Sequence, residues 1–246
     1  MAMIRNSINK EGIVVRLSKI KEADAMVDCL GPDGFFSFFA RGISKLTGKN
    51  SAAVQPLTQA RFTLSVSPSG SSTLSESQIV ASFLRDDDFG ALASQQLIME
   101  VASKLVQPDE APLDYPWLLE ALSAIKEGFD PYSSALFFFA RALVNGGMGL
   151  DVDECVSCQK KSDIVAISFS NGGFVCRNCF PKLEGSVPKS VMELKEIRYA
   201  FRFPLEKFRA YAYPKGDALH LIEDLAQYLN DLTGISLKSI PILLRA

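Results

Sequence analysis

Apolar and polar positions alternate with a period of about two through much of the first eighty residues, and the period lengthens to a helical one afterwards. Residues 12–17 are apolar and β-branched and predict a first strand. Residues 25–30 predict a second, ending at the turn Gly31-Pro32-Asp33-Gly34, and residues 35–40 a third, closed by Arg41-Gly42. A turn of that length predicts a hairpin between the second and third strands. Residues 61–66 place Phe62, Leu64 and Val66 on one face. A turn at 68–72 leads to a fifth strand over 73–83. Five short strands punctuated by turns suit a small closed barrel.

The middle of the chain changes character. Asp86-Asp87-Asp88 opens a stretch in which Phe89, Leu92, Leu97, Val101 and Leu105 fit one helix face. Acidic residues there favour the positive end of a helix and read as a cap rather than a metal site. Pro108 and Pro112 interrupt the chain. A second helix is expected over 115–129, with Pro116 in its first turn, and a third, very apolar one over 131–144, ending at Asn145-Gly146-Gly147. Further helices are expected over 187–201 and 217–232, the last stopped by Gly234. The pattern predicts an α+β protein. A five-stranded OB-fold barrel occupies residues 1–82, and a mainly helical domain over 83–246 carries a cysteine hairpin inserted at 153–181.

Composition narrows the class. Hydrophobic residues make up 48% and charged ones 22% of the 246 positions, ordinary for a soluble globular protein. The longest apolar run, 134–149, is too short to span a bilayer and carries Arg141. The N-terminus has no apolar signal core, so a cytoplasmic protein without a membrane partner is expected. The net charge of −2 conceals a split. Residues 1–80 hold nine Lys/Arg against six Asp/Glu, whereas the remainder holds seventeen against twenty-two. The first part is therefore the better partner for a polyanion.

Four of the five cysteines fall in two pairs, Cys155/Cys158 and Cys176/Cys179, with seventeen residues between the pairs. Each CxxC turn converges two thiolates on one ion, and two turns on a short hairpin complete a tetrahedron. The spacer suits such a hairpin, with a strand at 164–168, a turn at Asn171-Gly172-Gly173 and a return at Phe174-Val175. Four thiolates select one structural Zn2+ over harder ions. An iron–sulfur centre and redox CxxC chemistry are the alternatives. A site with all four positions filled supports folding rather than reaction. Cys29 reads as a small buried hydrophobe. His220, the only histidine, reads as structural or surface. No catalytic dyad or triad, P-loop or convergent carboxylate set is legible, and no enzyme activity is expected.

Several stretches resemble the RecO family of recombination mediators. Glu11-Gly12-Ile13-Val14-Val15-Arg16-Leu17 resembles its opening strand, and Lys21-Glu22-Ala23-Asp24 the polar link that follows. Ala40-Arg41-Gly42 is similar to its Ala-Arg-Gly or Ala-Lys-Gly signature, and Gln55-Pro56-Leu57 to its Leu-Gln-Pro-Phe segment. The paired CxxC motifs around Gly172-Gly173 complete the likeness, which covers nearly the whole chain. Family members often carry a denser basic run after the signature, where only Arg41, Lys45 and Lys49 stand here. In zinc knuckles a glycine often follows the second cysteine of each pair, where Gln159 and Phe180 stand here.

The resemblance implies a DNA-repair protein of the bacterial nucleoid. It would bind single-stranded DNA and the acidic, aromatic-ended C-terminal tail of single-stranded DNA-binding protein. It would act with RecR to load RecA, and annealing of complementary strands belongs to the same activity. An OB barrel binds single strands through cations and exposed rings. Candidate phosphate contacts are Arg16, Lys19, Lys21, Arg41, Lys45, Lys49 and Arg61, all near strand ends and turns. In the run from Phe35 to Phe39, at least two rings must enter the barrel, leaving the others for bases or for the helices. On the third helix, Arg141 and Phe138 are the candidates for the tail. The competing expectations are a zinc-stabilised scaffold whose barrel binds protein, which the acidic total favours, and a hydrolase or nuclease, for which the residues are lacking.

Overall fold

A computed structural model describes residues 6–20, 23–43, 50–108 and 111–246. Five strands close the barrel: β1 (Asn6–Lys19), β2 (Ala25–Gly31), β3 (Gly34–Ala40), β4 (Thr58–Val66) and β5 (Ser72–Ser82), in the order β1-β2-β3-β5-β4. All neighbours are antiparallel except β3 and β5, which run parallel where Phe39 meets Thr73. This is the connectivity of the expected OB-fold. β1 is longer than its apolar core predicts. Its polar first half forms a ladder with β4, from Asn6 opposite Val66 to Ile13 opposite Gln59, before the strand turns to β2. Backbone pairing needs no apolar side chain, so the hydrophobic pattern understates such a segment. A bulge between Val14 and Arg16 bends the strand as it changes partner. At the β2–β3 turn, a Cβ on Gly31 would lie 2.3 Å from the Glu11 carbonyl oxygen, so only glycine fits.

The barrel interior is filled by Val14, Val27, Cys29, Phe38, Phe62 and Leu64, with the rings of Phe38 and Phe62 4.8 Å apart. The alternate face does not meet water throughout. Ile13, Val15, Leu30, Leu57 and Phe83 belong to the core of the helical part instead.

Helix α1 (Phe89–Leu105) starts where the acidic triad predicts. Asp88 caps it by accepting from the Ala91 N–H, and Asp87 pairs with Arg85. Its buried face is not quite the predicted one. Leu97, Val101 and Leu105 are buried, but Phe89 and Leu92 are exposed. At about 100° per residue, 89 and 92 sit across the cylinder from the 97–101–105 stripe. Helix α2 (Ala111–Lys126) begins four residues before the expected start, because Pro112 lies in the first turn, where its missing N–H has no helical partner to lose. Helix α3 (Pro131–Asn145) is capped by Asp130 and lies almost wholly in the core.

A three-stranded sheet follows, ordered β7-β6-β8, from β6 (Ile164–Ser168), β7 (Gly173–Cys176) and β8 (Val187–Pro188). Here the expected helix over 187–201 is corrected. Val187 and Pro188 pair with β6, and a reciprocal cap between Ser190 and Glu193 delays α4 (Val191–Arg202). Helix α5 (Lys215–Thr233) ends on Gly234, whose φ of 75° is the left-handed stop expected of it. A short α6 (Ile240–Leu243), unforeseen, is held by Glu100 of α1, which accepts from Lys238 N–H, Ser239 N–H and Ser239 Oγ.

Candidate metal centre and nucleic-acid surface

Cys155 and Cys158 lie on a tight turn before β6, and Cys176 and Cys179 flank the end of β7. Pairing of β6 with β7 superposes the two turns, and all four Sγ atoms lie within 4.8 Å of one another. Cys158 and Cys176 Sγ are 3.6 Å apart. A tetrahedron with metal–sulfur bonds of about 2.3 Å has edges of about 3.8 Å, so the spacing fits. The backbone also fits. Cys155 N–H donates to Lys160 oxygen, and Gln159 N–H donates back to Cys155 oxygen. Burial pushes the Cys155 thiol up, but the N–H groups of Cys176, Ser157 and Cys158 outweigh it and hold it at about 6. The Cys179 N–H lowers Cys176 in the same way. The Lys160 N–H favours a Cys158 thiolate, but the neighbouring sulfurs prevail and push it up to about 12. Four sulfurs this close repel as thiolates, and a bound cation is the natural compensation. The donor set therefore can hold a metal ion.

The two turns differ. Gln159 takes the left-handed position where glycine is usual, with φ of 62°, whereas Phe180 avoids it because the chain runs into a short 3-10 turn. Backbone hydrogen bonds and ion pairs bind the hairpin to the helical body. Phe174 N–H donates to the Asp151 oxygen and Asp151 N–H to the Gly172 oxygen, either side of Gly173, where a Cβ would meet the Asp151 oxygen at 2.2 Å. Lys189 N–H donates to Val165 oxygen. Arg198 and Arg202 of α4 both clasp Asp153, at 2.7 and 2.8 Å.

The four described barrel cations, Arg16, Lys19, Arg41 and Arg61, do not form one groove. Arg16 is exposed but its Nε donates to Asp28 at 2.7 Å, and Arg61 Nε donates to Glu11 at 2.8 Å on another face of the barrel. Lys21, Lys45 and Lys49 lie outside the described residues. Lys19 and Arg41 are exposed, and neither has an ion pair among the described residues. They share one end of the barrel. Lys19 is opposite Ala25, and Arg41 follows Ala40, which is opposite Ala25 from the other side.

Phe36 and Phe38 point into the barrel, and Phe35 packs on the helices. Phe39 belongs to neither core. It is half-buried on the outer face, opposite Met26, with the Arg41 guanidinium 5.7 Å from its ring centre. Strand alternation from Ala40, an inward residue, was the signal that could single out Phe39.

Phe138 is a correction. It is fully buried within the helical core, because α3 is surrounded on all faces, so it offers nothing to a partner. Arg141 is half-buried. Its guanidinium lies 4.2 Å from the Trp117 ring centre and donates to the Phe203 oxygen. Burial lowers its pKa, with the Asp114 charge opposing. Cys29 is buried in the barrel and His220 is exposed.

A closed OB barrel seated on a helical body, with a four-thiol centre built into that body, defines a two-part OB-fold protein whose four cysteines could hold a metal ion. Comparison with known proteins narrows the class. Residues 3–83 match the family model described as Recombination protein O N terminal, and residues 86–241 match Recombination protein O C terminal. The DNA repair protein RecO of Bacillus subtilis (strain 168) is 26% identical over 234 residues, covering 93% of this chain and 91% of its own. That of Bacillus mycoides (strain KBAB4) is 28% identical over 233 residues, covering 93% of each. The chain belongs to the RecO family. No helix among the described residues is long and apolar enough to cross a membrane.

Proposed function

We propose that the protein is a recombination mediator of DNA repair whose barrel, residues 1–82, binds single-stranded DNA across the outer face of β2 and β3. The observation that carries this reading is the grouping of Phe39, Arg41 and Lys19 at one barrel end. A half-buried ring lies beside Arg41, and neither Arg41 nor Lys19, at the same barrel end, has an ion pair among the described residues. A base stacks on Phe39 while Arg41 and Lys19 take the flanking phosphates. Arg16, one face-row away, joins only if DNA draws it from Asp28. The helical part, residues 83–246, meets the proteins: the acidic tail of single-stranded DNA-binding protein, and RecR, with which it helps RecA filaments form and complementary strands anneal. The metal is zinc, held by Cys155, Cys158, Cys176 and Cys179. When bound it supplies charge neutralisation and a cross-link, while the chain's own N–H groups orient the sulfurs.

Fluorescence anisotropy of a labelled oligodeoxythymidylate tests the DNA reading. Two phosphate contacts predict a slope near −1.4 for log K against log salt, from about −0.7 per contact. Phe39→Ala should weaken binding by about 1–3 kcal/mol, the worth of one stacked base. A flat salt response with no effect of Phe39→Ala would refute the reading. That result would favour the protein-binding scaffold, the reading supported by the carboxylate partners of Arg16 and Arg61.

A further inference from the structure

Between the β6–β7 turn and the last turns of α5 lies an open cleft of about 440 Å³. Its floor is aromatic. The rings of Phe169 and Tyr228 meet there, with centres 6.2 Å apart and planes inclined by 45°. Leu232, one turn beyond Tyr228 on the same face of α5, forms a wall and is 55% exposed. The rim is rich in acceptors. Asn171 spends its Nδ2 on Ser168 and Ser170 Oγ, at 2.8 and 3.3 Å, which leaves its Oδ1 without a donor among the described residues. Asp231 Oδ1 accepts from Gln227 Nε2 at 2.7 Å, and its Oδ2 engages no donor among the described residues. The last turn of α5 holds no basic residue to offset the negative end of the helix. Among the described residues, no lysine or arginine lines the cleft.

We propose that this cleft receives an arginine side chain presented by a partner protein. A guanidinium is flat, carries five N–H donors and has no acceptor. It stacks on the rings of Phe169 and Tyr228, its stem covers Leu232, and its N–H groups donate to Asp231 Oδ2 and Asn171 Oδ1. The negative end of α5 favours the same charge. A lysine ammonium supplies charge but no plane to stack, so it fits less well. Phosphate is mismatched, because it would meet a carboxylate and a negative helix end with no cation beside them. Arginine is among the residues that anchor protein interfaces, which makes a protein the source. The inference goes beyond the mediator reading. It concerns a cationic partner, on a part of the chain remote in sequence from Phe39 and Arg41.

The test uses the full chain with its metal. A capped peptide, glycine-serine-arginine-serine-glycine, is titrated at low salt into isotope-labelled protein and followed by backbone amide chemical shifts. The shifts should saturate and should be confined to residues 169–172 and 228–234. Citrulline in place of the arginine keeps the shape and loses the charge, and should weaken binding at least tenfold. Lysine in its place should weaken binding at least threefold. Asp231→Lys changes one exposed side chain, should leave the melting temperature intact and should weaken binding at least tenfold. The near-isosteric Asp231→Asn, which keeps the local hydrogen bonding, should lose at least threefold. No saturable shift at the cleft overturns the proposal, as does equal binding of the citrulline peptide or full-strength binding by Asp231→Lys. Spermidine binding as tightly as the peptide overturns the protein source in favour of a polyamine site. The oligonucleotide titration decides the role of the barrel separately, so failure here leaves that reading as it stands.

Discussion

Replacing Glu100 by glutamine should loosen the last turn of the chain from the helical body. The carboxylate accepts from Lys238 N–H at 2.9 Å, Ser239 N–H at 2.8 Å and Ser239 Oγ at 2.7 Å, and pairs with Lys104 at 2.7 Å. Burial alone would raise its pKa, but these donors prevail and bring it from an ordinary 4.5 to about 2. At about 1.36 kcal/mol per pKa unit this sets a ceiling of about 3 kcal/mol. The group still meets solvent, and screening reduces that figure to roughly half. Glutamine keeps one acceptor and turns its amide N–H2 toward existing donors, so we expect a loss of about 2 kcal/mol, or 4–8 °C in melting temperature for a chain of roughly this size. The sign with pH follows. The folded pKa lies below the unfolded one, so the contribution is complete above about 4.5 and fades as the pH falls toward 2. Thermal melts of wild type and variant should therefore differ at pH 6 and converge at the acid end. Hydrogen exchange should accelerate at residues 238–244 in the variant. A gap of equal size at both pH values, or none at pH 6, would refute the electrostatic account.

Four further outcomes are expected. Cys176→Ser should abolish one bound zinc per chain, measured by plasma mass spectrometry, and open residues 153–181 to protease while β1–β5 stay protected. Gln159→Gly should stabilise the loaded protein by up to about 1 kcal/mol, because a left-handed position strains any side chain; a lower melting temperature would argue against this. Arg141→Lys removes a planar group from the Trp117 face and should cost about 1 kcal/mol, with a red shift in the emission of this sole tryptophan. Arg41→Glu should weaken oligonucleotide binding more at low salt than at high salt.

The strand and hairpin pattern was legible because a half-buried strand must alternate. The residues on each face of β3 follow from that alone, whereas the strand Ile164–Ser168 follows from the apolar run between the two cysteine pairs. What escaped was whatever depends on a partner distant in sequence. Asn6 to Glu11 form strand only because β4 lies beside them, and Val187 only because β6 does. Phe138 looked available because a one-dimensional pattern does not reveal how many sides of a helix are covered. The cysteine site needed no such context, since its chemistry is written in the spacing. The cations did need it. Charge counts cannot say that Arg16 and Arg61 each stand within reach of a carboxylate across the sheet.

Ile13, Val15, Leu30, Leu57 and Phe83 leave the barrel to join the other core. Uncoupling the two parts would return about 1.5–3 kcal/mol of burial for each such side chain to water. A barrel cut out at residue 82 would thus present a greasy flank alongside the end that carries Phe39 and Arg41, and any binding of nucleic acid measured on it would be mixed with self-association. Heating should melt both halves in a single transition, and studies of strand binding are better made by point substitution in the intact chain than by truncation.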